Sequence, residues 1–341
     1  MRLLFILGIL SLNIELAQGR DFSRIFAKVD PAIVVIETSE TNLEFSGKGV
    51  VQTTSRGLGS GVIVSNTGQI LTASHVVHDA NELTVELYDG RRHKARVLAS
   101  VISADLAIIE LIDPPENLTV AKLGDSDEIR IGEEVFVIGA PYGLEHTLTT
   151  GNLSGRRIQT DGVVFPKVEF LQTDAPINQG NSGGPMFNIR GEVIGIVSYI
   201  QSQSGGNEGL GFAASINMAK DVIIDQRALW WGMRYLPLNE TMLRMLNVAD
   251  YSEGLMVQSV AKGSLAAELG VKPGLLPVLL GDQQIFLGGD VILEIGGHAF
   301  YSTQKGFLRI QDYLKDKSSG DEIEVTVYRA GKKLILKGIK P

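Results

Sequence analysis

Between Ala32 and Val197 the chain repeats one pattern: a short run of β-branched and apolar residues followed by a turn signal. Such runs occupy Ala32–Glu37, Gly61–Ser65, Leu83–Tyr88, Glu134–Ile138 and Val193–Val197, with Asn66-Thr67-Gly68 and Asp89-Gly90 among the breaks. Strands of this length, broken by Gly, Asn and Asp every ten or so residues, predict an all-β barrel or sandwich. Helical patterning is confined to the edges of this region, at Phe22–Val29 and at Asn217–Trp231, where Asn217 is the expected cap.

A length of 341 residues allows about two domains. Charge marks the same division: residues 20–225 carry a net −10 and residues 226–341 a net +2. The second region mixes strands (Leu255–Val260, Glu322–Tyr328, Lys333–Lys337) with helical stretches near Ser264–Leu269 and Gln304–Leu314, so a small α+β unit is expected over 226–341. The total of −8 argues against a nucleic-acid partner, which calls for a basic face. With no cysteine there is no disulfide, thiolate zinc site or cysteine nucleophile, and neither a metal nor a cofactor is expected.

Residues 1–19 read as a secretory signal peptide: Arg2 precedes an apolar run, Leu3–Leu10, and Ala17 and Gly19 stand at the −3 and −1 positions of a cleavage site. The apolar run is too short to span a bilayer. An exported, periplasmic protein is expected, an uncleaved membrane anchor being the alternative.

One serine draws the chemistry together. Gly180-Asn181-Ser182-Gly183-Gly184-Pro185 sets a hydroxyl in a turn almost without side-chain bulk, where the amides of Gly180 and Ser182 can converge as an oxyanion hole. An α/β-hydrolase would place its histidine after the serine. Here only His298 follows, and Met186–Val197 reads as a strand hairpin. The chymotrypsin order is His, Asp, Ser. His75 ends the apolar strand Ile70–Ala73, and Asp105 opens the run Leu106–Ile109, where a carboxylate needs a hydrogen-bond partner. His78, His93 and His146 lack such a context and read as surface or loop residues.

On these residues the chain resembles the HtrA (Deg-type) trypsin-like serine proteases that carry a PDZ domain. The likeness is carried by Gly59–Val64, Leu71–Val76, Asp105–Ile109, Gln172–Pro185 and Gly209–Ala213, and extends over nearly the whole chain after the leader. It implies a mainly β fold, a chymotrypsin-like pair of six-stranded barrels followed by a small PDZ domain. It implies a triad of His75, Asp105 and Ser182, with Ile177 and Ile200 in an apolar pocket for the residue before the cut and Arg156 as an activation relay. It also implies a PDZ carboxylate loop, placed at Glu253, Gly254, Leu255 and Met256, and a homotrimer or larger oligomer with Phe22 and Phe26 at its contacts. Residues 275–288 are an apolar insertion, expected to pack against another surface.

The expected activity is an ATP-independent serine endopeptidase acting on unfolded or damaged polypeptides in the cell envelope, with C-terminal peptides bound by the second domain. Two alternatives are a chaperone or binding module with minor proteolysis and an anchored regulatory protease that cuts one signalling substrate.

Overall fold

The computed structural model describes residues 21–46, 49–140, 146–159, 168–202, 206–225, 229–248, 250–280, 283–300 and 304–341; the expected signal peptide lies outside them. A helix, α1 (Ser23–Val29), precedes the first barrel. That barrel closes in the order β1-β2-β3-β6-β5-β4, from β1 (Ile33–Ser46), β2 (Gly49–Ile63), β3 (Gln69–Thr72), β4 (Glu82–Glu86), β5 (Arg92–Val101) and β6 (Leu106–Leu111). A single helical turn, α2 (Ser74–Val77), follows β3. After β7 (Lys122–Leu123), the second barrel is built from β8 (Glu134–Gly139), β9 (Thr147–Gln159), β10 (Val168–Thr173), β11 (Pro185–Asn188), β12 (Glu192–Ile200) and β13 (Gly211–Ser215). It runs β11-β8-β9-β10-β13-β12 and closes through β11 against β12, while β7 lies parallel on β12.

The apolar runs that open β1 and fill β6 and β8 are continuous because both of their faces are covered. In β1, Val34 and Ile36 fill the first barrel, while Ile33 faces the other way. In β8, Val135 and Val137 fill the second barrel, and Phe136 and Ile138 face out of it. The outward residues, with Leu71, Leu106, Ile108, Phe170 and Phe187, make one buried cluster shared by the two barrels. This cluster fixes the seam at which the loops of the two barrels meet. Phe22, equally consistent in the sequence with a subunit contact or with docking on its own barrel, meets Phe136 edge-on at 5.4 Å, and Phe136 stacks on Phe187 at 4.9 Å. Phe26 packs against the same cluster.

The helix expected over 217–231 is much shorter. It consists of α3 (Ile216–Ala219) and a π-helical turn, Lys220–Asp225. Asn217 does not cap it; its side chain binds Asp125 and its amide binds Ser126.

The remaining elements are β14 (Met233–Asn239), α4 (Glu240–Met245), β15 (Glu253–Val260), α5 (Leu265–Glu268), β16 (Leu276–Leu280), β17 (Gln283–Leu287), β18 (Val291–Ile295), β19 (His298–Ala299), α6 (Gln304–Lys315), β20 (Glu322–Arg329) and β21 (Lys332–Ile339). They form an α+β unit around a sheet ordered β14-β15-β18-β20-β21. Its core holds Val257, Leu265, Ile292, Ile310, Val325 and Val327. The Asp290 carboxylate, with no exposed surface, is met by the Arg329 guanidinium at 2.6 and 2.7 Å and by the Lys272 amide at 2.8 Å. The apolar insertion is the β16–β17 hairpin. Gln258 ties it to β15 through the Phe286 backbone, but Leu275, Leu276 and Leu279 are exposed, so among the described residues nothing supplies the expected cover over them.

Candidate active site

His75 stands on α2, whose single turn follows directly from β3, and Asp105 follows a 3-10 turn, Ile102–Ala104, between β5 and β6. Asp105 adopts a left-handed backbone (φ 49°), which turns its carboxylate back toward α2. There it accepts from the His75 amide (3.0 Å) and from the ring Nδ1 (2.9 Å to Oδ2). A third donor was missed by the sequence reading: Ser198 Oγ on β12 donates to Asp105 Oδ2. Three donors satisfy a carboxylate that would otherwise be costly to hold in the seam. The only sequence signal for Ser198 is a lone hydroxyl ending the apolar run Val193–Val197.

Burial works to lower the His75 pKa, but the hydrogen bond and charge of Asp105 outweigh it and raise the value above the ordinary 6.5. This pairing also fixes the tautomer. A carboxylate only accepts, so Nδ1 carries the proton and Nε2 is left as the base.

The Ser182 turn is fastened to both barrels. Ser60 N donates to Ser182 O (2.8 Å), Ser60 Oγ donates to Gly180 O (2.8 Å), and Gly183 N donates to Val197 O (2.7 Å). Gly180 has φ 102°, and neither its amide nor that of Ser182 donates to an acceptor among the described residues. Gly183 has no substitute, because a Cβ there would lie 2.2 Å from Thr72 Oγ1 and 2.3 Å from Ser60 O. Ser182 Oγ is turned toward Ser198 O (3.4 Å), so Ser198 touches both the aspartate and the serine. No hydrogen bond joins Ser182 Oγ to His75 Nε2 among the described residues, and such catalytic hydrogen bonds commonly tighten only when substrate binds.

Ile177 and Ile200 pack with Val197 and Ala213 at one end of the second barrel. Ile177 lies across Gly211, where any added Cβ would sit 2.5 Å from Ile177 Cδ1. Arg156 is engaged within its own barrel: Nη1 pairs with Glu169 (2.9 Å), and Nη2 donates to the carbonyls of Ile129 (2.9 Å) and Ser126. The guanidinium braces the 126–129 turn, and none of these bonds leads to the C-terminal unit.

The residues expected to form a carboxylate loop, Glu253–Met256, are placed differently. They lie in β15, which pairs with β14 along its length and with β18 at Leu255 and Met256. A strand with neighbours on both sides cannot accept another. The sequence pattern identified a strand after a glycine but not its neighbours. The outer strands are β14, paired among the described residues with β15 alone, and β21, paired with β20 alone. The histidines read as surface residues also differ. His78 is buried, and His146, half-buried, pairs with buried Asp30 at 2.7 Å. His93 is half-buried on β5.

Two six-stranded barrels with a His–Asp pair and a glycine-rich serine turn at their seam define a trypsin-like peptidase, and the model of the trypsin-like peptidase domain family matches residues 59–196. The chain is 35% identical to the probable periplasmic serine protease do/HhoA-like of Haemophilus influenzae, over 85% of this chain and 59% of that one. It is 37% identical to the probable periplasmic serine endoprotease DegP-like of Hahella chejuensis, over 79% and 56%. The solved structure of the HtrA-type protease AlgW with tripeptide is similar at 30% identity and a TM-score of 0.54, covering 94% of this chain and 98% of that one. The chain belongs to the HtrA-type proteases. It spans a little over half the length of the curated relatives it matches.

Proposed function

We propose that this protein is a serine endopeptidase of the periplasm that cuts unfolded or damaged polypeptides without ATP. Ser182 Oγ attacks the peptide carbonyl while His75 Nε2 takes its proton and later gives it to the leaving amine. Asp105 holds the ring and stabilises the imidazolium. The amides of Gly180 and Ser182 receive the oxyanion, a contribution of about 3–4 kcal/mol per donor in other proteases. The observation that carries this reading is the His75–Asp105 pair, oriented by Ser198, beside a serine whose flanking amides are unengaged. The periplasmic names of the relatives and the expected leader support the compartment.

Ile177 and Ile200 make the pocket for the residue before the cut apolar and shallow, which favours small or medium aliphatic side chains. The C-terminal unit acts as a PDZ-like module that binds C-terminal peptides by strand addition, at β14 rather than β15. Assembly into a homotrimer or larger oligomer belongs to the same proposal, and light scattering on the purified protein tests it.

Digestion of β-casein by the wild type and by Ser182→Ala tests the activity. Loss of casein with the wild type alone is expected, and equal loss with both proteins rejects the serine mechanism.

A further inference from the structure

One buried hydroxyl outside the triad reaches the turn that carries Ser182. Ser60 lies on β2 with no exposed surface. Its Oγ accepts from the Ala140 amide, just beyond β8, at 3.0 Å and donates to the Gly180 carbonyl at 2.8 Å. An amide N–H only donates and a carbonyl only accepts, so the single hydroxyl proton points at Gly180. The Ser60 backbone is held as well: its amide donates to Ser182 O (2.8 Å) and its carbonyl accepts from Thr72 Oγ1 (2.7 Å). A Cβ on Gly139 would lie 3.1 Å from Ser60 Oγ, so the second barrel closes directly over the hydroxyl.

Three consecutive peptide units form the turn, and these bonds set their orientations. In a trans peptide the carbonyl and the next residue's N–H point in opposite directions. The Asn181 carbonyl accepts from the Gly184 amide (2.9 Å), which aims the Ser182 N–H the other way. The unit that carries the Gly180 N–H is joined to it through the Gly180–Asn181 unit. That middle unit has two bonds, Asn181 N to Asn178 O (3.0 Å) and Ser60 Oγ to Gly180 O. The first lies within the turn and moves with it; among the described residues the second alone comes from outside. Gly180, at φ 102°, has no side chain to resist rotation about its backbone bonds. Loss of the hydroxyl would leave the buried Gly180 carbonyl and Ala140 amide without partners, which favours a shift of the turn.

We infer that the Ser60 hydroxyl is the positioning group of the oxyanion hole: it holds the Gly180–Asn181 peptide unit so that the Gly180 and Ser182 amides converge on one point. This rests on the proposed serine mechanism, in which those two amides receive the oxyanion. The hydroxyl bonds to none of His75, Asp105 and Ser182 Oγ, so its effect is confined to the transition state and reaches it through the amides.

The test compares the full chain with its Ser60→Ala and Thr72→Val variants, using a peptide ester as substrate and a peptide boronic acid with an aliphatic terminal residue as probe. The boronic acid adds to the serine oxygen as a tetrahedral anion and so needs the oxyanion hole. Ser60→Ala should lower kcat about 10- to 100-fold with KM nearly unchanged, and weaken boronate binding by a similar factor. Losing a donor outright costs about 100- to 1,000-fold, and here the amide is misaimed rather than removed. The acidic limb of its pH profile should stay in place, because His75 keeps Asp105. Thr72→Val removes a buried bond to the same serine but leaves the Gly180 carbonyl held, so its kcat and boronate affinity should stay close to the parent's. A second measurement needs no variant: in a crystal structure of the wild type with boronate bound, Ser60 Oγ should remain hydrogen-bonded to Gly180 O while a boronate oxygen meets both amides. Parental kcat and boronate affinity in Ser60→Ala, equal losses in the two variants, or a Gly180 carbonyl turned away from Ser60 in the complex each overturns the positioning role. A parent that neither hydrolyses the ester nor binds the boronate overturns the serine mechanism and this inference with it.

Discussion

Ser198 is a positioning residue in the proposed active site. It donates to Asp105 and offers its carbonyl to Ser182, so it sets the angle at which the aspartate meets the imidazole. A hydrogen bond to a charged group contributes about 1.5–3 kcal/mol. Ser198→Ala should therefore lower kcat/KM on a peptide ester about 10- to 100-fold, while Ser198→Thr, which retains the hydroxyl, should restore most of it. The proposed mechanism needs neutral His75, whose pKa is raised by Asp105 against the effect of burial. The acidic limb of the kcat/KM profile should thus turn above pH 6.5, with activity rising as the pH increases through it. Asp105→Asn removes the cause and should move that limb to lower pH, as well as lowering the plateau. Both shifts are read from pH–rate profiles.

At the scale of the element, the aromatic stack that anchors α1 and the second barrel is the most sensitive packing unit. Phe136 is wholly buried between Phe22 and Phe187. Phe136→Ala should cost about 3–5 kcal/mol, measured as a lower denaturant midpoint, and Phe22→Ala should cost less because its ring is only half-buried. The strand runs in β1, β6 and β8 were legible in the sequence because double-sided burial leaves an unbroken apolar signature. The polar arm of the β1–β2 hairpin, where Glu40 pairs with Ser55 and Ser46 with Gly49, was not. Its sequence carries no continuous apolar run, and only strand pairing defines it.

Across the whole molecule, the C-terminal unit is coupled to the first barrel by a few polar bonds grouped around α2. Asp79 is largely buried, and burial raises its pKa despite the Arg234 guanidinium beside it. Loss of one member of such a pair leaves the other desolvated. Asp79→Asn should therefore loosen the docking without unfolding either part, seen as a larger radius of gyration in solution scattering with unchanged circular dichroism.

Local sequence determined the strand-rich first region and the α+β character of the second, and it pointed to His75, Asp105 and Ser182 as the proposed triad. Each depends on nearest neighbours: apolar periodicity, turn residues, small residues around a nucleophile. The tertiary structure alone decided that Ser198 holds Asp105, that Arg156 braces its own barrel, that β14 rather than β15 is an outer strand, and that His78 is buried against it. Those outcomes depend on which distant segments become neighbours. His78 and Met233 are separated by 155 residues, and no local pattern records a hydrogen bond across that distance.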